Sequence, residues 1–294
     1  MLSDASEVSL AAKRIAPYAR HTPVMRVEVD GRPVVLKLEQ LQLTGSFKVR
    51  GALNALLADR PARVVTASGG NHGLAVATAA ALLGLPATVY TPESVPAAKA
   101  RRIEATGAKL IRHGATYAEA AAVASAVSDA RYLPAYDHPL VIAGQGTCAA
   151  EAVADASDVD SLVAAVGGGG LAAGTVLGAG GRPVVAVEPT GCAALHAALA
   201  AGHPVDTAVD SVAASALGAT RVGDLPFGIL RSATSVLVSD AEILAARDRL
   251  WEEFRLAVEP AGAVPFAAWL AGHVPGELPC LILCGANTDW TPAN

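Results

Sequence analysis

Short apolar runs alternate with longer alanine-rich runs along most of the chain, and this alternation restricts its fold more than any other feature. Residues 34–38, 63–66, 87–90, 109–112, 162–166, 183–187 and 279–283 read as strands. Residues 48–58, 71–83, 96–106, 117–128, 240–251 and 261–270 read as helices, and a further helix starts from the glycine run at 167–170. Strands that are apolar throughout are buried on both faces, so this order predicts parallel sheets covered by helices. Pro96 sits near a helix start, where its fixed φ is tolerated, and Asp240 reads as a cap. The expected class is α/β with parallel-rich sheets. A length of 294 residues suits two lobes rather than one small core. The strand–helix units between Arg60 and His138 predict a small lobe, residues 60–138, inserted into a larger one made of residues 1–59 and 139–294.

Composition narrows the partners. Hydrophobic residues make up 52% but aromatics only 4%, so the core relies on Ala, Val and Leu, as in helices packed closely on a parallel sheet. A net charge of −5 gives no basic field for nucleic acid or an anionic membrane, and a small anion would need a local site such as a helix N-terminus. Asp4, Glu7, Lys13 and Arg14 interrupt the first twenty residues, which do not read as a signal peptide. Residues 71–89 are long and apolar, yet Asn71, His72, Gly84 and Pro86 break them, which predicts a buried helix and a strand rather than a membrane span. Cys148, Cys192, Cys280 and Cys284 form no C-x-x-C pair, which suits a reducing compartment and a cytoplasmic location. Cys192 and His196 are spaced for one helix face, but no second Cys/His pair accompanies them and no metal is expected.

Four segments hold residues of chemical interest. Thr44-Gly45-Ser46-Phe47-Lys48-Val49-Arg50-Gly51 places a lysine at the start of an apolar helix. A lone lysine is ordinarily a solvated surface charge. At the positive end of a helix dipole its pKa is predicted to fall, as a Schiff-base or proton-abstracting lysine requires. Ser68-Gly69-Gly70-Asn71-His72-Gly73 is another strand-to-helix joint whose amides can face a carboxylate. Taken alone it reads as a turn with an Asn cap, and His72 as a hydrogen-bonded structural histidine. Gly167-Gly168-Gly169-Gly170-Leu171 lets backbone amides and a helix dipole approach a phosphate. It also fits G-x-G-x-x-A through Gly168, Gly170 and Ala173, with Glu188 18 residues after Gly170, so a dinucleotide site stays open on this motif alone. Cys284 ends an apolar strand before Gly285-Ala286-Asn287, where open α/β sheets place ligands, though a buried Cys is commonly just a small hydrophobe. A lysine, a phosphate cradle, a polar loop and a small donor for a pyridine nitrogen are the parts that pyridoxal phosphate (PLP) chemistry needs.

Together these motifs resemble the serine/threonine dehydratase and serine racemase group of fold type II PLP enzymes, a two-lobed fold. The match runs in order through nearly the whole chain and includes Ile142-Ala143-Gly144-Gln145-Gly146-Thr147. The resemblance implies that Lys48 carries PLP as a Schiff base. It implies that Gly167, Gly168, Gly169, Gly170 and Leu171 bind the phosphate, Asn71 the ring hydroxyl and Cys284 the pyridine nitrogen. Ser68, Gly69, Asn71 and His72 would receive the substrate carboxylate. The cysteine synthase branch follows its lysine with Asp-Arg, so β-replacement is not the expected chemistry.

Departures from the group's pattern refine the expectation. Racemases of the group resemble S-S-G-N-H, and the second Ser, their opposite-face acid, is Gly69 here. In the group's divalent-cation site the Glu matches Glu188, but the Asp six residues on is Ala194. The group's Ala-Asp-Gly is not preserved around Asp210-Ser211-Val212, before the segment 214–218. Only ten residues follow Cys284, so no C-terminal regulatory domain is expected. The resemblance implies deamination of L-threonine or L-serine, by loss of water, to a 2-oxo acid and ammonia in a homodimer whose small lobe closes on substrate. A related substrate such as 3-hydroxyaspartate, or serine racemisation, is the alternative. Two readings from other classes stay open: an NAD-binding oxidoreductase resting on the glycine run and Glu188, and a PLP-binding protein without turnover.

Overall fold

A computed structural model describes residues 4–288 and 290. Its strands are β1 (Val24–Val29), β2 (Arg32–Lys37), β3 (Val64–Ala67), β4 (Ala87–Thr91), β5 (Lys109–Arg112), β6 (Arg131–Tyr132), β7 (Ser161–Ala165), β8 (Val184–Pro189), β9 (Thr234–Val238) and β10 (Pro279–Ile282). They form a six-stranded sheet in the order β1-β2-β10-β7-β8-β9 and a four-stranded sheet in the order β5-β4-β3-β6. Every pairing is parallel except β1 with β2. The α/β class expected from the alternation is therefore present, with one antiparallel edge added.

That edge comes from a hairpin. Asp30 and Gly31 both take positive φ, 53° and 72°, as a two-residue Asp-Gly turn between strands requires. β1 alternates Arg26 and Glu28 with apolar neighbours and is only partly buried, so a search for uniformly apolar runs passes over it. The central strands β7 and β10 are buried at every position, which is why they read as continuous apolar runs.

Helix boundaries follow local chemistry. The helix Asn71–Leu83 stops at Gly84, which takes φ 67°, and β4 follows. Among the described residues no helix is long and apolar enough to cross a membrane. The helix Asp240–Phe254 is capped by Ser239 rather than Asp240: the Ser239 side chain accepts from the Glu242 amide, and Glu242 reaches back to the Ser239 amide. Ala5–Ile15 and Pro139–Asp155 are helices that the apolar pattern did not delimit. In the second, Gly144 and Gly146 weaken helix propensity but permit close packing. A Cβ on Gly146 would lie 2.7 Å from Gly174 O, and one on Gly174 would lie 2.6 Å from Gly146 N. The segment 142–147 thus fixes the helix Gly170–Gly178, which begins in the glycine run.

The helix Lys48–Asp59 is the wall shared by both layers. Its Val49, Leu53 and Leu56 pack in one cluster with Val64, Ala75, Val76, Ala79 and Val141. Its first residue is Lys48, so both layers together set where that side chain starts.

Candidate active site

The loops after β3, β7 and β10 converge on one cavity of about 610 Å³. Lys48, Ser68, Gly69, Asn71, His72, Gly167, Gly168, Gly169, Gly170, Leu171 and Cys284 all line it, so the structure brings every sequence-predicted site residue together.

Lys48 sits in the wall with its Nζ donating to Ala135 O at 2.9 Å and lying 5.1 Å from the Phe47 ring centroid. Burial lowers its pKa to about 8, against the opposing influence of Cys284 and Glu259. The expected lowering is thus found, but its cause is burial and not the helix dipole invoked from the sequence. The turn bearing Lys48 is clamped from beneath. Arg50 is fully buried and holds Glu39 through two bonds, of 2.8 and 2.7 Å. It also donates to Glu151 Oε1 at 2.7 Å, and buried Lys37 donates to Glu151 Oε2 at 2.9 Å. Asp155 lies 3.9 Å from Lys37 as well, so both buried cations there face carboxylates.

The glycine run is packed so closely that side chains are excluded. A Cβ on Gly168 would overlap the Tyr136 ring, one on Gly167 would lie 2.9 Å from Leu217 Cα, and one on Gly170 2.9 Å from Tyr136 Cβ. Gly169 takes φ 92°, a conformation that disfavours L side chains. The run opens the helix Gly170–Gly178, whose first amides have no intrahelical acceptor and suit an anion. The dinucleotide alternative needs a free acid at Glu188, and the structure does not provide one. Glu188 is fully buried and its two oxygens accept from the Leu195 and His196 amides at 2.7 and 2.8 Å. That carboxylate caps a helix instead of facing the cavity. Among the described residues there is no cluster of three or more His, Cys, Asp or Glu suited to a metal. His196 instead pairs its Nδ1 with Ser235 Oγ at 3.1 Å.

The loop after β3 ends at Gly70, which caps the helix in place of the expected Asn71. Ser68 Oγ accepts from the Gly70 amide at 3.2 Å. His72 is buried, and its Nε2 donates to Leu133 O at 3.0 Å. Burial, with the Lys48 charge adding to it, pushes the His72 pKa down to about 3, so the imidazole is neutral. Asn71 is free of capping duty, and its Nδ2 donates to Glu259 Oε1 at 2.7 Å.

Glu259 is a site residue that sequence reasoning missed. It is 3% exposed and lines the cavity. Burial raises its pKa to about 7, against the Asn71 bond and the cations Lys99, Arg102 and Lys48. Its local signal was Glu259-Pro260, an acid before a helix-starting proline. Across from it, Cys284 donates to Ala261 O at 3.5 Å, and burial keeps the thiol far above its ordinary pKa. The thiol is therefore neutral. The unusual segment around Val212 is anchored rather than loose: the Val212 amide and Ser211 Oγ donate to Asp240 at 3.0 and 2.6 Å. The helix Ala214–Leu217 that follows lines the cavity.

Comparison with known proteins bears on the family and the fold. The model of the family described as pyridoxal-phosphate dependent enzyme matches residues 15–285. The chain is 37% identical over 298 residues to the biosynthetic L-threonine dehydratase of Haemophilus influenzae, a match covering 94% of this chain and 58% of that protein. It is 33% identical over 307 residues to the L-threo-3-hydroxyaspartate ammonia-lyase of Pseudomonas sp, covering 98% and 96%. The crystal structure of the threonine deaminase of T.th. superposes with a TM-score of 0.92 at 34% identity, over 98% of this chain and 100% of that one. The chain therefore spans less than two thirds of the dehydratase and nearly all of the ammonia-lyase. A match from residue 15 to residue 285, on a fold shared across that length, makes the chain a member of the pyridoxal-phosphate-dependent enzyme family, fold type II.

Proposed function

We propose that the chain deaminates L-threonine or L-serine by loss of water, releasing a 2-oxo acid and ammonia. The observation that carries this reading is the convergence of Lys48, the 68–72 loop, the glycine run and Cys284 on one cavity. The residues present fit the family's cofactor: the glycine run excludes side chains and ends in helix amides, and the Cys284 thiol is a neutral hydrogen-bonding partner. In this reading Lys48 holds PLP, Gly167, Gly168, Gly169, Gly170 and Leu171 its phosphate, Asn71 its ring hydroxyl and Cys284 its nitrogen. Ser68, Gly69, Asn71 and His72 take the substrate carboxylate, His72 through its main chain because its neutral imidazole is committed to Leu133. When bound, PLP supplies an electron sink for the α-carbon. Lys48, with a pKa of about 8, is neutral in part near neutral pH and can accept the α-proton. A neutral Cys284 thiol would hold the ring nitrogen by a hydrogen bond without giving it a full proton, which would favour departure of the β-hydroxyl. We assign residues 60–138 to a small lobe that closes on substrate and excludes water, with 1–59 and 139–294 as the large lobe; all strands of the smaller sheet lie within 60–138. Four free, buried cysteines support a reducing, cytoplasmic setting for the enzyme, which we take to be a homodimer.

One feature favours a second substrate. Lys99 also lines the cavity, and its ammonium would meet the extra carboxylate of 3-hydroxyaspartate. Ammonia and oxo-acid release from L-threonine, L-serine and L-threo-3-hydroxyaspartate, with the visible spectrum of the purified protein, tests both readings. No cofactor band, or no oxo acid from any of the three, would sink them.

Two expected results follow from the site. Cys284→Ser keeps most activity because a hydroxyl makes the same hydrogen bond, whereas Cys284→Asp protonates the ring nitrogen and moves product toward racemisation or transamination. An unaltered spectrum and product ratio in Cys284→Ala would refute the assignment. The wild-type enzyme is a poor racemase, because Gly69 offers no acid on the face opposite Lys48. The structure adds a constraint on testing this: a Cβ at residue 69 would overlap the Val95 Cγ2 methyl and lie 3.3 Å from Val95 Cβ. Gly69→Ser alone therefore yields little D-serine, and Gly69→Ser with Val95→Ala yields more. Chiral chromatography showing wild-type D-serine formed as fast as oxo acid would overturn the one-base reading.

A further inference from the structure

A chain of hydrogen bonds runs from the surface of the helix Ala97–Glu104 to the floor of the cavity. Arg102 Nη1 donates to Asn287 Oδ1 at 2.7 Å. Asn287 Nδ2 donates to Asn71 Oδ1 at 2.6 Å and to Thr44 O at 2.8 Å. Asn71 Nδ2 donates to Glu259 Oε1 at 2.7 Å. These residues come from separate parts of the chain. Arg102 lies beyond β4 of the smaller sheet, and Asn287 lies just after β10 of the larger one.

The direction of every bond in this chain is forced. A guanidinium only donates, and a main-chain carbonyl only accepts. Arg102 on one side and Thr44 O on the other thus leave the Asn287 amide a single orientation, oxygen toward Arg102 and nitrogen toward Thr44. Its second N–H then meets Asn71 and requires an oxygen there. Asn71 must therefore turn its own nitrogen toward Glu259 and the cavity. Gly45 makes room: it takes φ 74°, and a Cβ there would lie 2.9 Å from Asn287 Oδ1.

We propose that Arg102 and Asn287 are positioning residues of the cofactor site, which together hold the Asn71 amide with its N–H group turned to the cavity. This rests on the reading that Asn71 faces the ring hydroxyl of PLP. Neither residue touches the cofactor; each acts through Asn71. The arrangement also ties the small lobe's helix to the site, because Arg102 reaches Asn287 only with the helix Ala97–Glu104 in place.

The test uses PLP titrated into the cofactor-free full chain, followed by absorption of the bound cofactor. Asn287→Asp is the same size and still accepts from Arg102, but it presents an acceptor to Asn71 Oδ1 and to Thr44 O. Expected is about tenfold weaker PLP binding and a displaced absorption maximum, the scale of one mispaired, partly buried hydrogen bond. Arg102→Ala, at an exposed position, gives a smaller loss of the same kind, and Arg102→Lys, which keeps a donor, retains the wild-type affinity. The melting temperature of the cofactor-free Arg102→Ala protein stays at the wild-type value. Should Asn287→Asp not fold, the Arg102 pair decides. Wild-type affinity and absorption in Arg102→Ala, or equal losses in Arg102→Ala and Arg102→Lys, overturn the proposal. A wild-type chain that borohydride does not link to PLP at Lys48 would instead show that the cofactor reading itself fails, independently of these variants.

Discussion

Lys48→Ala is expected to lower turnover by at least about 10³-fold and to abolish borohydride-stable attachment of PLP. Two losses combine. The amine is the covalent anchor in the proposed site, and it is also the base for the α-proton, a role that alone is worth roughly 10²–10⁴-fold. The structure explains why this lysine suits both tasks. Among the described residues its Nζ is held by one main-chain acceptor, Ala135 O, and no carboxylate bonds it directly. Burial brings its pKa down to about 8, so an unprotonated fraction exists near neutral pH. A direct carboxylate partner would have raised the pKa and tied the amine up. The substitution should leave the fold intact, because the clamp beneath is formed by Arg50, Glu39, Lys37 and Glu151 without Lys48. Peptide mapping of the reduced wild-type protein checks the assignment: a label on any lysine other than Lys48 would refute it, as would near-normal turnover in a folded Lys48→Ala protein.

Much of this arrangement is legible in the sequence because it depends on neighbours in the chain. The helices that start at Lys48 and Asn71 and the strands β5 and β10 begin where composition and turn residues put them. The cavity residues at 48, 68–72, 167–171 and 284 each sit just past a strand end or at a helix start, where a strand-then-helix pattern already points to ligands. What escaped depends on residues far apart. Glu259 meets Asn71 across 188 positions, and nothing near Glu259 announces that contact. Arg50, Glu39, Lys37 and Glu151 are visible as charges, but only the register of β2 against β10 and the packing of two helices bury and pair them. β1 escaped for a different reason. Its half-exposed alternation is weak, although the Asp30-Gly31 turn beside it was a usable signal. The segment 142–147 was recognised by resemblance, whereas its physical task, close backbone contact with the helix of the glycine run, emerges only in three dimensions.

Gly168→Asp is expected to weaken PLP binding by at least about 10³-fold, and two physical causes act together. The first is space. A Cβ at this position would overlap the Tyr136 ring, and Tyr136 also backs Gly170, so the ring cannot yield without disturbing the rest of the cradle. The second is charge. The phosphate of PLP is an anion, and an aspartate about 4 Å away at an effective dielectric near 20 costs roughly 4 kcal/mol. Gly168→Ala separates the two, since it keeps the steric conflict and adds no charge; it should bind PLP more weakly than wild type but more tightly than Gly168→Asp. Phosphate-free pyridoxal gives a further check, because its binding should suffer from the crowding in both variants but not from the added charge. The measurement is a PLP titration followed by absorption or by quenching of protein fluorescence, with circular dichroism as the folding control. If Gly168→Asp bound PLP as tightly as wild type, the glycine run would be a packing turn and the phosphate would have to lie elsewhere. If the loss were the same for PLP and pyridoxal, the run would shape the cavity without contacting the phosphate.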